Sequence, residues 1–365
     1  MSRLAVRAAK LVRALLWRRR RPDQVRRILV AHQLLLGDTI LLAPLLKALA
    51  LRYPKAERVV LVRPRYAALF ADRPYGVVPL PFERRDASSQ WQVLASGPYD
   101  LAFVPDDNRY AWLARAARSG WIVGFAKDRP AWKNWMIDEA IDYPATPTAW
   151  ADMAAALTHL PAIPQFRKGE WPAPPAPHFD PPKPPYAVLH VGASTPLKFW
   201  RAERWRALAD TLGRRGFVIV WSGGAGETEL LKAIGVEEGE IDCIGSLDLA
   251  ALWKLLAGSR LLVCPDTGIA HLARIVGVPT VALFGPGSAV VHGPGEFWKD
   301  ALFWTVTDPA YPCRDQHVLF RREVPWVLRC GRSFGTGAGQ CPRAGCMDVL
   351  AFDPILDAVD IALSA

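Results

Sequence analysis

The chain lacks any apolar run of the roughly 18 residues that a membrane-spanning helix needs. Its longest candidate, Leu34 to Leu51, is broken by Gly37-Asp38, Pro44 and Lys47, so a soluble or peripheral protein is expected. Cysteine is sparse: six in 365 residues do not make a disulfide framework in a chain of this size. Cys243 and Cys264 sit in apolar runs and read as core, while Cys313, Cys330, Cys341 and Cys346 fall in a late Gly/Pro/Arg-rich stretch. Four thiols could hold a structural zinc, but only Cys341 and Cys346 approach ligand spacing, and free or locally packed thiols are the expectation. Neither a P-loop nor, at the glycine turn 221–227, a Gly-x-Gly-x-x-Gly fingerprint is present.

Acidic residues are nearly missing from the first 27 positions, where ten Lys and Arg face only Asp23 and account for +9 of the net +10. The remaining body is close to neutral, which argues against a nucleic-acid-binding domain, whose charge would stripe the folded surface. At helical spacing Leu4, Ala8, Leu11, Val12, Leu15 and Leu16 share one face and Arg3, Arg7, Lys10 and Arg13 the other. Such a helix can lie on an anionic membrane surface; a solvated basic extension is the alternative. Arginines interleave its apolar residues and no small-residue cleavage site follows, so it does not read as a secretory signal.

With 51% hydrophobic and 22% charged residues, the composition is globular and the length suits two domains of about 150 residues. Short β-rich runs alternate with helical ones: 27–31, a helix over 39–51, 58–62, 101–104 and 121–125. This alternation predicts an α/β fold with parallel sheets. Eight prolines among residues 171–185 cannot donate ladder hydrogen bonds and read as an extended linker. A second block then shows strands at 186–191, 217–221, 241–244, 261–264 and 280–284, with helices between them.

Chemistry gathers where these strands end. Leu261-Leu262-Val263-Cys264 leads into Pro265-Asp266-Thr267-Gly268-Ile269-Ala270-His271, a strand passing at once into a helix. The free backbone N–H groups and positive end of that helix make an anion cradle suited to phosphate; the alternative is a helix merely capped by Thr267, with His271 a partly buried packing residue. Asp-Thr-Gly also occurs in aspartic proteases, but the immediate helix and His271 oppose that reading, and the other Asp-Thr, Asp38-Thr39, lacks the glycine. Ser194 to Lys198 fits a phosphate clamp with a mobile cation. Glu227, just past the glycines, fits a carboxylate accepting from ribose hydroxyls; taken singly, the two motifs read more simply as a solvated surface lysine and an acid at a helix N-terminus. Asp38 opens a leucine-rich helix and reads either as an N-cap or as a general base facing a cleft.

The order of these motifs, Gly37-Asp38-Thr39-Ile40-Leu41, Lys198-Phe199-Trp200, Gly224-Ala225-Gly226-Glu227 and Asp266 through Ala273, resembles glycosyltransferase family 9, the lipopolysaccharide heptosyltransferases, over about residues 27 to 350. The resemblance implies GT-B architecture: two facing Rossmann-like domains with parallel sheets and an interdomain cleft. It implies an acceptor domain at 27–165 and an ADP-sugar domain at 186–350; the residues themselves add a Pro-rich linker at 166–185, a C-terminal helix at 351–365 and a basic amphipathic extension at 1–26 that is not part of the family's motif set. By position, Asp38 matches the catalytic base, Lys198 the donor-phosphate lysine and Glu227 the ribose acid. Asp266, Thr267, Gly268 and His271 match the diphosphate and sugar site, Ser194 stands where the family has a threonine near the phosphates, and Leu247 lies where an apolar side chain meets adenine. Lys127 and Arg129 stand where members often carry basic residues toward the acceptor.

The expected activity is inverting, metal-independent transfer of a heptose from ADP-heptose to a lipid-linked lipopolysaccharide core precursor, without a cofactor. The enzyme is expected at the cytoplasmic face of the inner membrane, drawn to its anionic surface by the N-terminal tail. Asp106-Asp107, half of an acidic metal-holding motif, is read as a turn. The alternatives are another nucleotide sugar, a capsule-glycan or protein acceptor, or a non-catalytic nucleotide-sugar binding protein.

Overall fold

The computed structural model describes residues 3–175 and 179–365. The side chains of Arg3 and Leu4, and Pro177 of the expected linker, lie outside the described residues. The first half contains α1 (Arg3–Leu16), β1 (Arg27–Val30), α2 (Leu36–Ile40), α3 (Ala43–Arg52), β2 (Glu57–Val62), β3 (Val77–Pro81), α4 (Ala87–Ser96), β4 (Tyr99–Val104), α5 (Arg109–Ala116), β5 (Ser119–Phe125), β6 (Glu139–Ile141) and α6 (Trp150–Ala156). The second contains β7 (Tyr186–His190), α7 (Ala202–Arg214), β8 (Val218–Gly223), α8 (Thr228–Ile234), β9 (Ile241–Ile244), α9 (Leu249–Gly258), β10 (Leu261–Pro265), α10 (Gly268–Val276), β11 (Thr280–Phe284) and β12 (Phe303–Thr307). Two hairpin-sized pairs, β13 (Val318–Leu319) with β14 (Arg322–Glu323) and β15 (Ser333–Phe334) with β16 (Gln340–Cys341), precede α11 (Gly345–Asp348) and α12 (Phe352–Ser364).

The first sheet runs β3-β2-β1-β4-β5-β6 and the second β12-β11-β10-β7-β8-β9, every pair parallel. Both are doubly wound, with the strand order reversing between β1 and β4 in one and between β7 and β10 in the other. Ligands of such sheets sit outside the carboxyl ends of the strands at that reversal. Asp38 follows β1, Lys198 follows β7 and Asp266 follows β10, so the folding topology alone carries all three to reversal points.

Two expectations need correction, and a third gains an anchor. The single helix over 39–51 is two, because the chain turns at Leu41-Leu42 and restarts with Pro44 in the first turn of α3, where a proline's missing N–H costs nothing. The expected linker is anchored at its start: Trp171 is 1% exposed, packs edge-on to Phe70 at 5.0 Å and donates to the Leu69 carbonyl at 2.7 Å. The N-terminal segment is part of the first domain. Helix α1 buries Val6 and Ala14 against α4 and α5, and Arg13 donates to the Leu94 carbonyl at 2.9 Å. Its docking seam lies beside the apolar face, which leaves Leu11, Val12, Leu15 and Leu16 in solvent.

The excursion between β12 and α11 crosses to the first domain. Arg322, 2% exposed, donates to the carbonyls of Asp106 (2.6 Å), Ala126 (2.8 Å) and Phe125 (3.1 Å) and to Asn108 Oδ1 (2.9 Å), with Asp128 at 3.7 Å. Removing a buried cation from such a network leaves its acceptors unpaired. Arg322→Ala is therefore expected to cost about 3–5 kcal/mol of stability, read as a lowered midpoint in urea; an unchanged midpoint would show the excursion to be loosely held.

Candidate active site

Strand β10 is buried along its whole length, and a buried strand must hand its next residues to the sheet's rim. There Thr267 takes extended backbone as the N-cap of α10 while its hydroxyl makes no cap bond, so that hydroxyl and the first N–H groups of the helix remain for a ligand. Lys198 ends the short turn Pro196–Lys198, which Thr195 caps through Leu197 N at 3.3 Å. Its Nζ donates to Asp266 Oδ2 at 2.8 Å and to the Asp266 carbonyl at 2.6 Å. Burial by itself would raise the Asp266 carboxyl, but the Lys198 ammonium and then His292 hold it well below the usual range. The acid thus remains charged and fixes the lysine rather than touching an anion itself.

Asp38 lies across the cleft from this pair. The N-cap of α2 is Leu35, and Asp38 sits inside the first turn without capping it. The N-cap alternative is therefore excluded. Burial raises the Asp38 carboxyl above its ordinary value, opposed by His292, whose Nε2 is 3.7 Å from Oδ1. A carboxylate beside cations is normally made weaker as a base; here desolvation outweighs His292, Lys198 and Arg329. His292 and His271 are both pushed down by burial, and the Nδ1 of each is buried without a partner among the described residues. His271 stacks on Phe303 at 6.5 Å and lies under Gly37.

Two glycines bring the halves this close. A Cβ on Gly37 would stand 2.7 Å from His271 Cδ2, and one on Gly268 would stand 3.0 Å from the Gly37 nitrogen. Gly37→Ala must separate α2 from α10 and move Asp38, so a loss of up to about 10²-fold in kcat/KM is expected, since small misplacements cost that much. ADP affinity should change little. Steady-state turnover with calorimetry checks this; turnover equal to that of the native chain would mean the interface yields without moving Asp38.

The cleft, about 790 Å³, gathers Asp38, Ser194, Lys198, Asp266, Thr267, Gly268 and His271 from the residues singled out in the sequence. Glu227 and Leu247 are on the same rim but outside that cavity. The Glu227 carboxylate lies against the 192–195 turn, Oε2 being 3.2 Å from a Cβ built on Gly192, and Leu247 is half-buried after β9. Lys127 and Arg129 are not brought in: both are exposed, paired with Asp142 (2.8 Å) and Glu323 (3.3 Å). At the end of β4, Asp107 is held by Arg109 (2.7 Å) and Lys133 (2.8 Å), and burial pushes the Asp106 carboxyl up to about 8.

The cleft also contains residues that sequence reasoning missed: His292 after β11, Arg65 after β2, and Arg329 on the late excursion. None stands in a recognisable motif; each follows a strand or loop whose position only the sheets define. The described cysteines are all free. Cys313, Cys330, Cys341 and Cys346 line one hollow beside the cleft, and among the described residues no group of three His, Cys, Asp or Glu is placed to hold a metal ion.

The family model for glycosyltransferase family 9 (heptosyltransferase) matches residues 88–320. The chain belongs to glycosyltransferase family 9. Among its relatives, the lipopolysaccharide heptosyltransferase 1 of Pseudomonas aeruginosa is 29% identical over 301 residues, covering 71% of this chain and 79% of that protein. The family 9 glycosyltransferase structure from Veillonella parvula superposes with a TM-score of 0.69 at 18% identity, over 94% of this chain and 98% of that one. The E. coli ADP-heptose lipopolysaccharide heptosyltransferase II gives 0.65 at 18% identity, over 93% and 98%. The two doubly wound sheets facing one cleft are accordingly a GT-B fold, and this family 9 member is a glycosyltransferase.

Proposed function

We propose that this enzyme transfers a heptose, with inversion, from ADP-heptose to a sugar hydroxyl of a lipid-linked lipopolysaccharide core precursor. The observation that carries the reading is the Lys198–Asp266 pair at the mouth of α10 with Asp38 facing it across the cleft. The adjacent strand ends extend the donor site. From β10 through β7 and β8 to β9 is three spacings, roughly 14 Å, comparable with an extended nucleoside diphosphate: diphosphate at Lys198, Thr267 and Gly268, ribose at Glu227, adenine at Leu247. Ser194 lies between the first two.

Asp38 takes the proton as the acceptor oxygen bonds the anomeric carbon from the face opposite ADP, and the bond from that carbon to the diphosphate breaks. Its desolvated carboxyl, raised above the ordinary value, is a stronger base than a solvated one. Negative charge grows on the departing diphosphate, where Lys198 and the start of α10 oppose it. ADP is a good leaving group, so no general acid is needed. Arg65 and Arg329 raise the positive potential of the cleft from its other walls. Because Lys198 and backbone N–H groups meet the donor's charge, transfer is expected to persist in EDTA, measured as ADP release; complete loss, restored by magnesium or manganese, would overturn that site.

We place the enzyme at the cytoplasmic face of the inner membrane. The support is α1, whose Leu11, Leu15 and Leu16 are 49%, 63% and 77% exposed beside Arg18, Arg20 and Arg21, an arrangement suited to an anionic surface. Among the described residues no helix is long and apolar enough to cross a membrane. Leu11→Ser/Leu15→Ser should reduce sedimentation with anionic vesicles while transfer to a delipidated acceptor continues. These point variants are preferred to removing residues 2–26, because α1 covers apolar side chains of α4 and α5. Equal sedimentation of variant and native chain would remove α1 from the membrane reading.

A further inference from the structure

A second hollow, about 520 Å³, lies on the first domain between α1, α5 and the turn that follows β3. Its walls are of two kinds. Arg7 and Lys10 on α1, Arg84 after β3 and Arg109 at the start of α5 bring four cations to it, and Leu11, Phe82, Trp112 and Trp132 form its apolar side. Burial and then the neighbouring Arg7 and Arg109 charges lower the Lys10 ammonium, so Lys10 lies within reach of both, and Arg84 lines the same hollow. Only Arg109 has a carboxylate partner, Asp107 at 2.7 Å; Arg7, Lys10 and Arg84 form no ion pair with the described residues. Such an uncompensated cluster, half roofed by a helix, is held at a cost that an anion would relieve.

The rim identifies the anion's other half. Trp112 meets Trp132 and Trp135, ring centroids 6.4 Å apart in each case, and the latter two are 44% and 62% exposed. They flank the helix whose Leu11, Val12, Leu15 and Leu16 are in solvent. Tryptophans beside a basic, leucine-bearing helix are the dress of a headgroup-level surface. The hollow also adjoins the acceptor side of the cleft, since Tyr110 on its wall donates to Gln33 at 3.3 Å, just before α2 and Asp38.

We propose that this hollow binds one anionic glycerophospholipid of the bilayer, its phosphate among Arg7, Lys10, Arg84 and Arg109 and the start of its acyl chain along Leu11, Trp112 and Trp132. The occupant is a membrane lipid rather than a free phosphate, because half of the wall is apolar and opens beside the exposed leucines. The inference rests on the membrane reading above and deepens it: a specific lipid seat, not diffuse charge alone, sets the height and tilt of the acceptor cleft over the surface.

The test uses the full chain and three probes: short-chain phosphatidylglycerol below its micelle concentration, inorganic phosphate, and vesicles with and without phosphatidylglycerol. The native chain should bind the short-chain lipid saturably, with a change in tryptophan emission, and bind inorganic phosphate at least about tenfold more weakly. Lys10→Ala/Arg84→Ala should weaken the lipid at least tenfold with its thermal midpoint unchanged. Arg18→Ala/Arg21→Ala removes equal charge outside the hollow; it should lower vesicle binding yet leave the short-chain lipid unaffected. No saturable lipid binding, equal binding by the Lys10/Arg84 variant, or phosphate binding as tight as the lipid overturns the proposal. Absence of all vesicle binding by the native chain would instead overturn the membrane reading itself, and transfer to a delipidated acceptor reports separately on the transferase reading.

Discussion

Asp38→Ala is expected to lower kcat by about 10²- to 10⁴-fold, the range for loss of a general base, with ADP affinity almost unchanged. In the proposed reaction the carboxylate acts on the acceptor, and the donor's anionic groups are met on the opposite domain. Its burial also fixes the sign of a pH effect. As the proposed base, Asp38 works only when deprotonated, and its carboxyl is raised above the ordinary value. Turnover should therefore fall as pH drops through that raised value, earlier than a solvated aspartate would dictate, and the acid limb should vanish from the residual rate of the variant. His292→Ala removes the neighbour that opposes the rise, so the limb should move to higher pH. Near-full turnover of Asp38→Ala with saturating acceptor would sink the assignment.

Lys198→Ala carries the other large effect. Both ADP affinity and kcat should fall, kcat by about 10²-fold or more, the cost of one preorganised partner of developing charge. Glu227→Ala should weaken ADP while sparing kcat, since a ribose contact is equally strong in ground and transition states. The ion pair adds a sharper test. With the lysine gone, the buried Asp266 loses what keeps its carboxyl low, and while charged it repels the incoming diphosphate. Lys198→Ala/Asp266→Asn should consequently bind ADP more tightly than Lys198→Ala alone. Calorimetry on the three variants decides it. A double variant no better than the single would mean that Asp266 touches the donor directly, and equal kcat losses for Lys198→Ala and Glu227→Ala would exchange their roles.

Central strands were legible because burial on both faces demands continuous apolar runs. β1, β4, β7, β8 and β10 all read directly as Val/Ile/Leu-rich segments. In the two six-stranded sheets the strands that sequence reading missed are β3, β6 and β12, each at a sheet edge. Their residues are mostly half-buried, and β3 carries Pro79 and Pro81, which an edge tolerates because its outer N–H groups are unpaired. A pattern that need not be apolar leaves little trace in composition.

By itself the sequence determined the fold class and the local setting of the proposed donor site. A strand ending in Asp-Thr-Gly before a helix is a short-range fact, and the cradle at Thr267 and Gly268 follows from adjacent residues. Tertiary structure decided what depends on distant segments meeting. It set the desolvation that makes Asp38 a stronger base, and the pairing of Lys198 with Asp266, 68 positions away. It brought His292, Arg65 and Arg329 into the cleft, kept Lys127 and Arg129 out of it, and docked α1 by Val6 and Ala14 rather than by its leucines. Helical periodicity shows that a face is apolar; whether that face meets the protein or something outside it depends on the surface the rest of the chain presents, which no window of sequence contains.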